Sequence, residues 1–190
     1  MSTFSKLLDV FYSGSHSFRR EHESVNEIAF LIDNGYLAYK PVQIATKIDY
    51  FTVLKELSTR LHESGLASGG SSNHVALKII ASKYLKDERR LEYKYEQPFC
   101  GYYPDVLSED NSVVIECGNT QNPEKILTYF RQGQIKECLQ IPYPDVNDTT
   151  IIGYSFAPHS DLNDFLVLLE KQKLNDLRAK LKGNRRATGL

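Results

Sequence analysis

Apolar residues in the first third of the chain recur at helical spacing. Val25, Ile28, Ala29 and Ile32 share one helix face. Ser24-Val25-Asn26-Glu27 has the S-x-x-E form of a capping box, in which two side chains satisfy free N–H groups of a first turn. Gly35 is placed to stop that helix. Ile48, Phe51, Leu54, Leu57 and Leu61 make the buried stripe of a second helix, from about Thr46 to Glu63, with Gly65 beyond it. The stretch from Leu66 to Ser72 is rich in Ala, Ser and Gly and reads as a loop that marks a boundary.

The pattern then changes. A third helix, capped by Ser72 or Asn73, runs to about Glu88 and turns Val75, Ile79, Ile80 and Tyr84 to a core. Three strands follow, at Leu91–Tyr95, Tyr102–Leu107 and Ser112–Cys117, the last carrying the β-branched run Val113-Val114-Ile115. The polar run Ser108–Asn111 predicts that the last two pair as a hairpin. Asn122-Pro123-Glu124 opens a helix expected to reach Leu139, with Pro142 and Pro144 closing it. Thr149–Phe156 reads as a buried strand, and a final helix is expected from about Asp161 to Lys182. This order predicts an α/β fold with an N-terminal helical extension over 1–70, a core over 71–160 and a C-terminal helix with a basic tail over 161–190.

Composition narrows the class. A chain of 190 residues suits one domain with an extension, and 41% hydrophobic with 25% charged residues excludes disorder and collagen-like repeats. No apolar run reaches the roughly 18–20 residues that span a bilayer, so no membrane partner is expected. The first residues lack a basic region followed by a long apolar stretch, so no secretory signal is expected. Three cysteines with no CxxC pair argue for a reducing, cytoplasmic location and against a zinc knuckle.

The net charge is −1, but residues 171–190 carry seven basic side chains (Lys171, Lys173, Arg178, Lys180, Lys182, Arg185 and Arg186) against the single acid Asp176. With Arg19 and Arg20 they are candidate contacts for the phosphates of a nucleic acid, and binding through them would weaken steeply with salt. The plainer alternative is a solvated helix end and a frayed tail.

Two acids carry the candidate chemistry. Asp105 follows Pro104 on the second strand and Glu116 ends the third, with ten residues between them. Adjacent antiparallel strands would bring them together at the sheet edge. Paired carboxylates suit a hard divalent ion such as Mg²⁺, which activates a bound water and stabilises charge on a phosphodiester oxygen. Cys117 alternates to the opposite face and reads as core. Glu92 and Glu96 read as edge-strand charge, and the tyrosines at 93, 95, 102 and 103 suit strands, with base stacking as the functional alternative.

Tyr103-Pro104-Asp105-Val106, followed after Val113-Val114-Ile115 by Glu116-Cys117-Gly118, resembles the PD-(D/E)xK nuclease superfamily, over about residues 73–157. The resemblance implies a restriction endonuclease-like core of helix, three strands, helix and strand. It also implies Mg²⁺-dependent hydrolysis of DNA, with Mn²⁺ as a substitute and Asp105 and Glu116 as metal ligands. The lysine of the motif is replaced by Gly118, which can neither orient nor activate water. Asn119, Gln121, Lys125 and Gln132 are the residues on which a substitute would fall, with Gln121 and Lys125 the catalytic candidates. The helix ahead of the strands, which often supplies an acid in this superfamily, has none between Asn73 and Lys86. His74 and Lys78 stand there instead at i and i+4, in a string similar to one found ahead of the core in nuclease-like families related to competence proteins. They are candidates for phosphate or water contact, against the plainer reading of a solvated helix face.

Cutting both strands of a duplex needs two sites, so a homodimer or a partner subunit is expected. A second reading is a catalytically inactive protein of this fold that binds nucleic acid or assembles with a partner; Gly118 and the near-zero net charge favour it. A third is an interaction protein with no nucleic-acid role.

Overall fold

A single six-stranded mixed sheet with helices on both faces organises the chain. The computed structural model describes residues 2–12, 19–60, 71–119, 122–132, 135–145, 147–172 and 175. The elements are α1 (Thr3–Tyr12), α2 (Arg19–Asp33), β1 (Leu37–Thr46), α3 (Lys47–Arg60), α4 (Ser72–Lys83), β2 (Tyr93–Tyr95), β3 (Val106–Ser108), β4 (Val113–Cys117), α5 (Glu124–Arg131), β5 (Glu137–Ile141) and β6 (Thr150–Pro158). A π-helical turn, Tyr84–Glu88, extends α4, and α6 spans residues 162–172. Among the described residues no helix is long and apolar enough to cross a membrane.

The sheet order is β1-β6-β5-β4-β3-β2. Strands β2, β3 and β4 form an antiparallel meander, β4 and β5 run parallel, and β5, β6 and β1 are antiparallel. A parallel pair needs a crossover, and α5 is that crossover. The hairpin expected between β3 and β4 forms: Asn111 takes φ 57°, and the Asp110 carboxylate accepts from the Ser112 N–H at 2.9 Å.

Alternation along the central strands builds two cores. Val114 and Cys138 face one layer with α1, α2, α5 and α6, while Val113, Ile115, Leu139 and Ile141 face the other with α3 and α4. Every residue of β4 and β5 is buried, because helices cover both faces of the sheet at its centre. On the first layer an ion pair between Glu27 of α2 and Arg131 of α5, 2.7 Å long, ties the end of the crossover helix to its neighbour.

Five sequence expectations change. The strand expected at Tyr102–Leu107 is the shorter β3, and Asp105 stands just before it. On α3 Tyr50, Val53 and Leu57 are buried, while Ile48 and Phe51, expected in the buried stripe, are exposed. Helix α2 begins at Arg19, so the Ser24–Glu27 box lies inside it and caps nothing. The first third of the chain contains a strand as well as helices: β1 pairs with β6 along nine residues, with a register shift between Gln43 and Ala45. Pro41 sits in the middle of β1, which an edge strand tolerates because one row of its N–H groups has no ladder partner. The helix expected from Asn122 to Leu139 stops at Arg131, and its last residues form β5. The strand that follows α5 is therefore Glu137–Ile141, while the expected strand at Thr149–Phe156 is the next one, β6.

Candidate functional site

Asp105 and Glu116 meet at one end of the sheet. Val106 pairs with Ile115 at the last step of the β3–β4 ladder, and Asp105 and Glu116 are the residues just beyond that pair. The Asp105 Oδ2 accepts a hydrogen bond from the Cys117 N–H at 2.7 Å, and the charges of the two acids act on each other. Their remaining partners come from opposite layers.

Helix α4 serves Asp105. Its first turn is capped by Ser71, and His74 and Lys78, one turn apart, project toward the strand end. The Asp105 Oδ1 lies 3.0 Å from His74 Nε2 and 3.5 Å from Lys78 Nζ. Lys78 is 2% exposed and also pairs with Glu96, which takes φ 47° after β2. Instead of lining a solvated helix face, Lys78 is buried between two carboxylates. Burial pushes the Asp105 carboxyl up, but the His74 bond, the Cys117 N–H and the charges of His74 and Lys78 outweigh it and hold it below its ordinary value.

Helix α5 serves Glu116. Tyr129 OH donates to Glu116 Oε1 at 2.6 Å, and Lys125 Nζ stands 3.1 Å from Oε2, 5.9 Å above the Tyr102 ring. Lys125 thus reaches the acid from the crossover helix rather than from the strand that carries Glu116. Burial is the largest influence on Glu116 and the nearby Asp105 charge adds to it; Lys125 and Tyr129 pull the other way, and the carboxyl stays above its ordinary value. Burial also pushes the thiol of Cys117 far up, so it is held as an inert core thiol, as its alternation implied.

Gly118 explains its own identity. It takes φ 79°, and a Cβ there would lie 2.7 Å from Cζ of the Tyr143 ring. The ring fills the space a motif lysine would need. Tyr143 OH in turn lies 3.4 Å from His74 Nδ1, and the Gly118 carbonyl accepts from Gln140 Nε2 at 2.6 Å. Replacing Gly118 with Ala should lower stability by about 1–2 kcal/mol, the cost of a left-handed conformation for an L-residue. It should also push the Tyr143 ring off His74. Thermal melting checks the first effect and the His74 ring resonances the second. Melting at the parent temperature would show that the backbone relaxes there at no cost.

The other candidates divide. Asn119 and Gln132 are exposed, Gln132 ending α5, and Lys171 is exposed on α6. Gln121, Lys173, Arg178, Lys180, Lys182, Arg185 and Arg186 lie outside the described residues, as do residues 66–70 of the expected loop and the side chains of Arg19 and Arg20; the last two loop residues cap and open α4. Among the described residues, no group of three or more His, Cys, Asp and Glu side chains is arranged to hold a metal ion. Sequence reading passed over Tyr129 and Tyr143. Tyr143 lies between Pro142 and Pro144, a segment read only as a helix stop, and Tyr129 reads as an ordinary apolar position of an amphipathic helix.

Comparison with known protein families, with curated proteins and with solved structures gives no match.

Proposed function

We propose that this site hydrolyses phosphodiester bonds in DNA and that Lys125, carried by the crossover helix, replaces the lysine absent at Gly118. The observation that carries this reading is the Lys125 ammonium, 3.1 Å from the buried Glu116 at the end of a parallel strand pair, with Asp105 just across the β3–β4 hairpin. The run α4, β2, β3, β4, α5, β5 supports a restriction endonuclease-like core, since it is helix, three strands, helix and strand, with Asp105 just ahead of the second of those strands and Glu116 on the third.

The donors fit a hard divalent cation. Mg²⁺ takes only one or two carboxylates and keeps several waters, so Asp105 and Glu116 suffice in number and kind. Their oxygens already face Lys78, His74, Lys125 and Tyr129, and a cation would have to share or displace these partners. Asp105 and Glu116 would hold the ion, which when bound supplies a polarised phosphodiester and a more acidic water. Lys125 offers positive charge where negative charge develops on the phosphate, and it sits on a side chain long enough to follow it. His74 and Lys78 hold Asp105 ionised and oriented.

Incubation of supercoiled plasmid and of single-stranded DNA with Mg²⁺ or Mn²⁺ tests the reading. The parent protein should cleave, and Asp105→Ala and Lys125→Ala should each lose on the order of 10²-fold or more, the scale of losing one charge-stabilising group. Parent and variants equally inert, with DNA still bound, would leave the binding-module reading, which Gly118 favours.

A further inference from the structure

We infer that a groove beside the acid cluster receives an unpaired nucleobase, which makes a single strand the substrate of this site; the inference rests on the phosphodiester reading above. The groove has a volume of about 470 Å³ and lies between α3, the start of α4 and the segment after β5. Tyr50, Phe51 and Tyr143 give it three aromatic rings, and Asn73 offers an amide at its wall. The Phe51 ring is 46% exposed, and Lys47 Nζ stands 5.9 Å from its centroid.

Its position selects the occupant. Tyr143 is shared: its ring closes over Gly118 and lines the groove, and its hydroxyl lies 3.4 Å from the His74 that holds Asp105. Whatever lies in the groove is therefore set beside the His74–Asp105 pair. A nucleic acid strand offers a flat π face next to each phosphate, and aromatic rings bind such faces with little regard to sequence. Lys47, whose Nζ donates to the Asp145 carbonyl at 2.6 Å, puts positive charge at the same wall as the Asp145 carboxylate, within reach of the backbone joined to that base. A base inside a duplex has both faces covered by its neighbours, so only an unpaired or extruded base can enter.

The test measures binding and hydrolysis separately. A fluorescein-labelled DNA dodecamer, single-stranded or as a blunt duplex, is titrated with the protein in EDTA and followed by anisotropy. Phe51→Ala should weaken single-strand binding by about tenfold, within the range of one lost stacking contact, and leave duplex binding unchanged. Phe51→Trp should keep the affinity. Because the chain has no other Trp, the emission of that variant should be quenched by the unlabelled single strand. Equal single-strand affinity of the parent and Phe51→Ala, or an emission unmoved at saturation, overturns the inference. Melting curves confirm that each variant is folded. Cleavage is read apart, with Mn²⁺ added: quenching without hydrolysis of any substrate sinks the phosphodiester reading alone, while hydrolysis with the Phe51 effects absent sinks the groove alone.

Discussion

Glu116→Gln is expected to abolish hydrolysis while leaving the melting temperature at or above that of the parent protein. The two effects come from one cause. Glu116 is 5% exposed, and its burial outweighs the help of Lys125 and Tyr129, so the folded state holds its carboxyl above the ordinary value of 4.5. A carboxyl raised in the folded state favours folding at low pH, where both states are protonated, and loses that advantage as pH rises through the folded value. At neutral pH the charge therefore costs stability. The amide removes the charge and keeps an acceptor for Tyr129 OH, 2.6 Å away. The stability difference should be present at pH 7 and vanish below about pH 4, where the parent side chain is neutral in both states. Activity should fall by about 10³-fold or more, because the site loses the charge that orients Lys125. Melting curves at pH 3.5, 5 and 7 beside a cleavage assay measure both. A variant clearly less stable than the parent at pH 7 would mean that the Glu116–Lys125 pair stabilises the fold, contrary to this account.

Lys78→Ala should produce the largest loss of stability of any single charge change among the described residues. Its ammonium is buried against Glu96 and Asp105, and removing it leaves two carboxylates facing each other with only His74 to offset them. Breaking a buried pair from one side costs about 3–5 kcal/mol, and the lower end applies here because Glu96 is 30% exposed and His74 remains. A loss of about 3 kcal/mol lowers the melting temperature of a chain this size by about 6–12 °C. Glu96→Gln in the same background should recover part of it, since it removes one of the stranded charges. Urea melts of the two single variants and the double variant give the coupling directly. If Lys78→Ala melts within a degree or two of the parent, the cluster is solvated and the ion pairs contribute little.

Local pattern and site chemistry were legible in the sequence to different depths. The α4-to-β4 run and its hairpin followed from periodicity and turn residues, because each element buries a face set by its own side chains. β1 and β5 were not legible. Pro41 argues against a strand unless the strand is known to lie at an edge, and a five-residue segment such as Glu137–Ile141, apolar only at 138, 139 and 141, has no period that separates it from the end of a helix. Asp105 and Glu116 were found because their spacing spans one hairpin. Lys125 was among several candidates, since its side chain meets Glu116 only through the packing of α5 on the sheet. The role of Tyr143 was hidden for the same reason: nothing near residue 118 announces a ring arriving from residue 143.

A cation borne on a strand is fixed by the ladder on both sides of it. One borne on α5 moves whenever that helix slides, and the far end of α5 is pinned to α2 by Glu27 and Arg131. The N-terminal helices thus set the aim of a group that lies on the other side of their own packing layer. A change in how they dock would detune the chemistry without altering any residue that performs it.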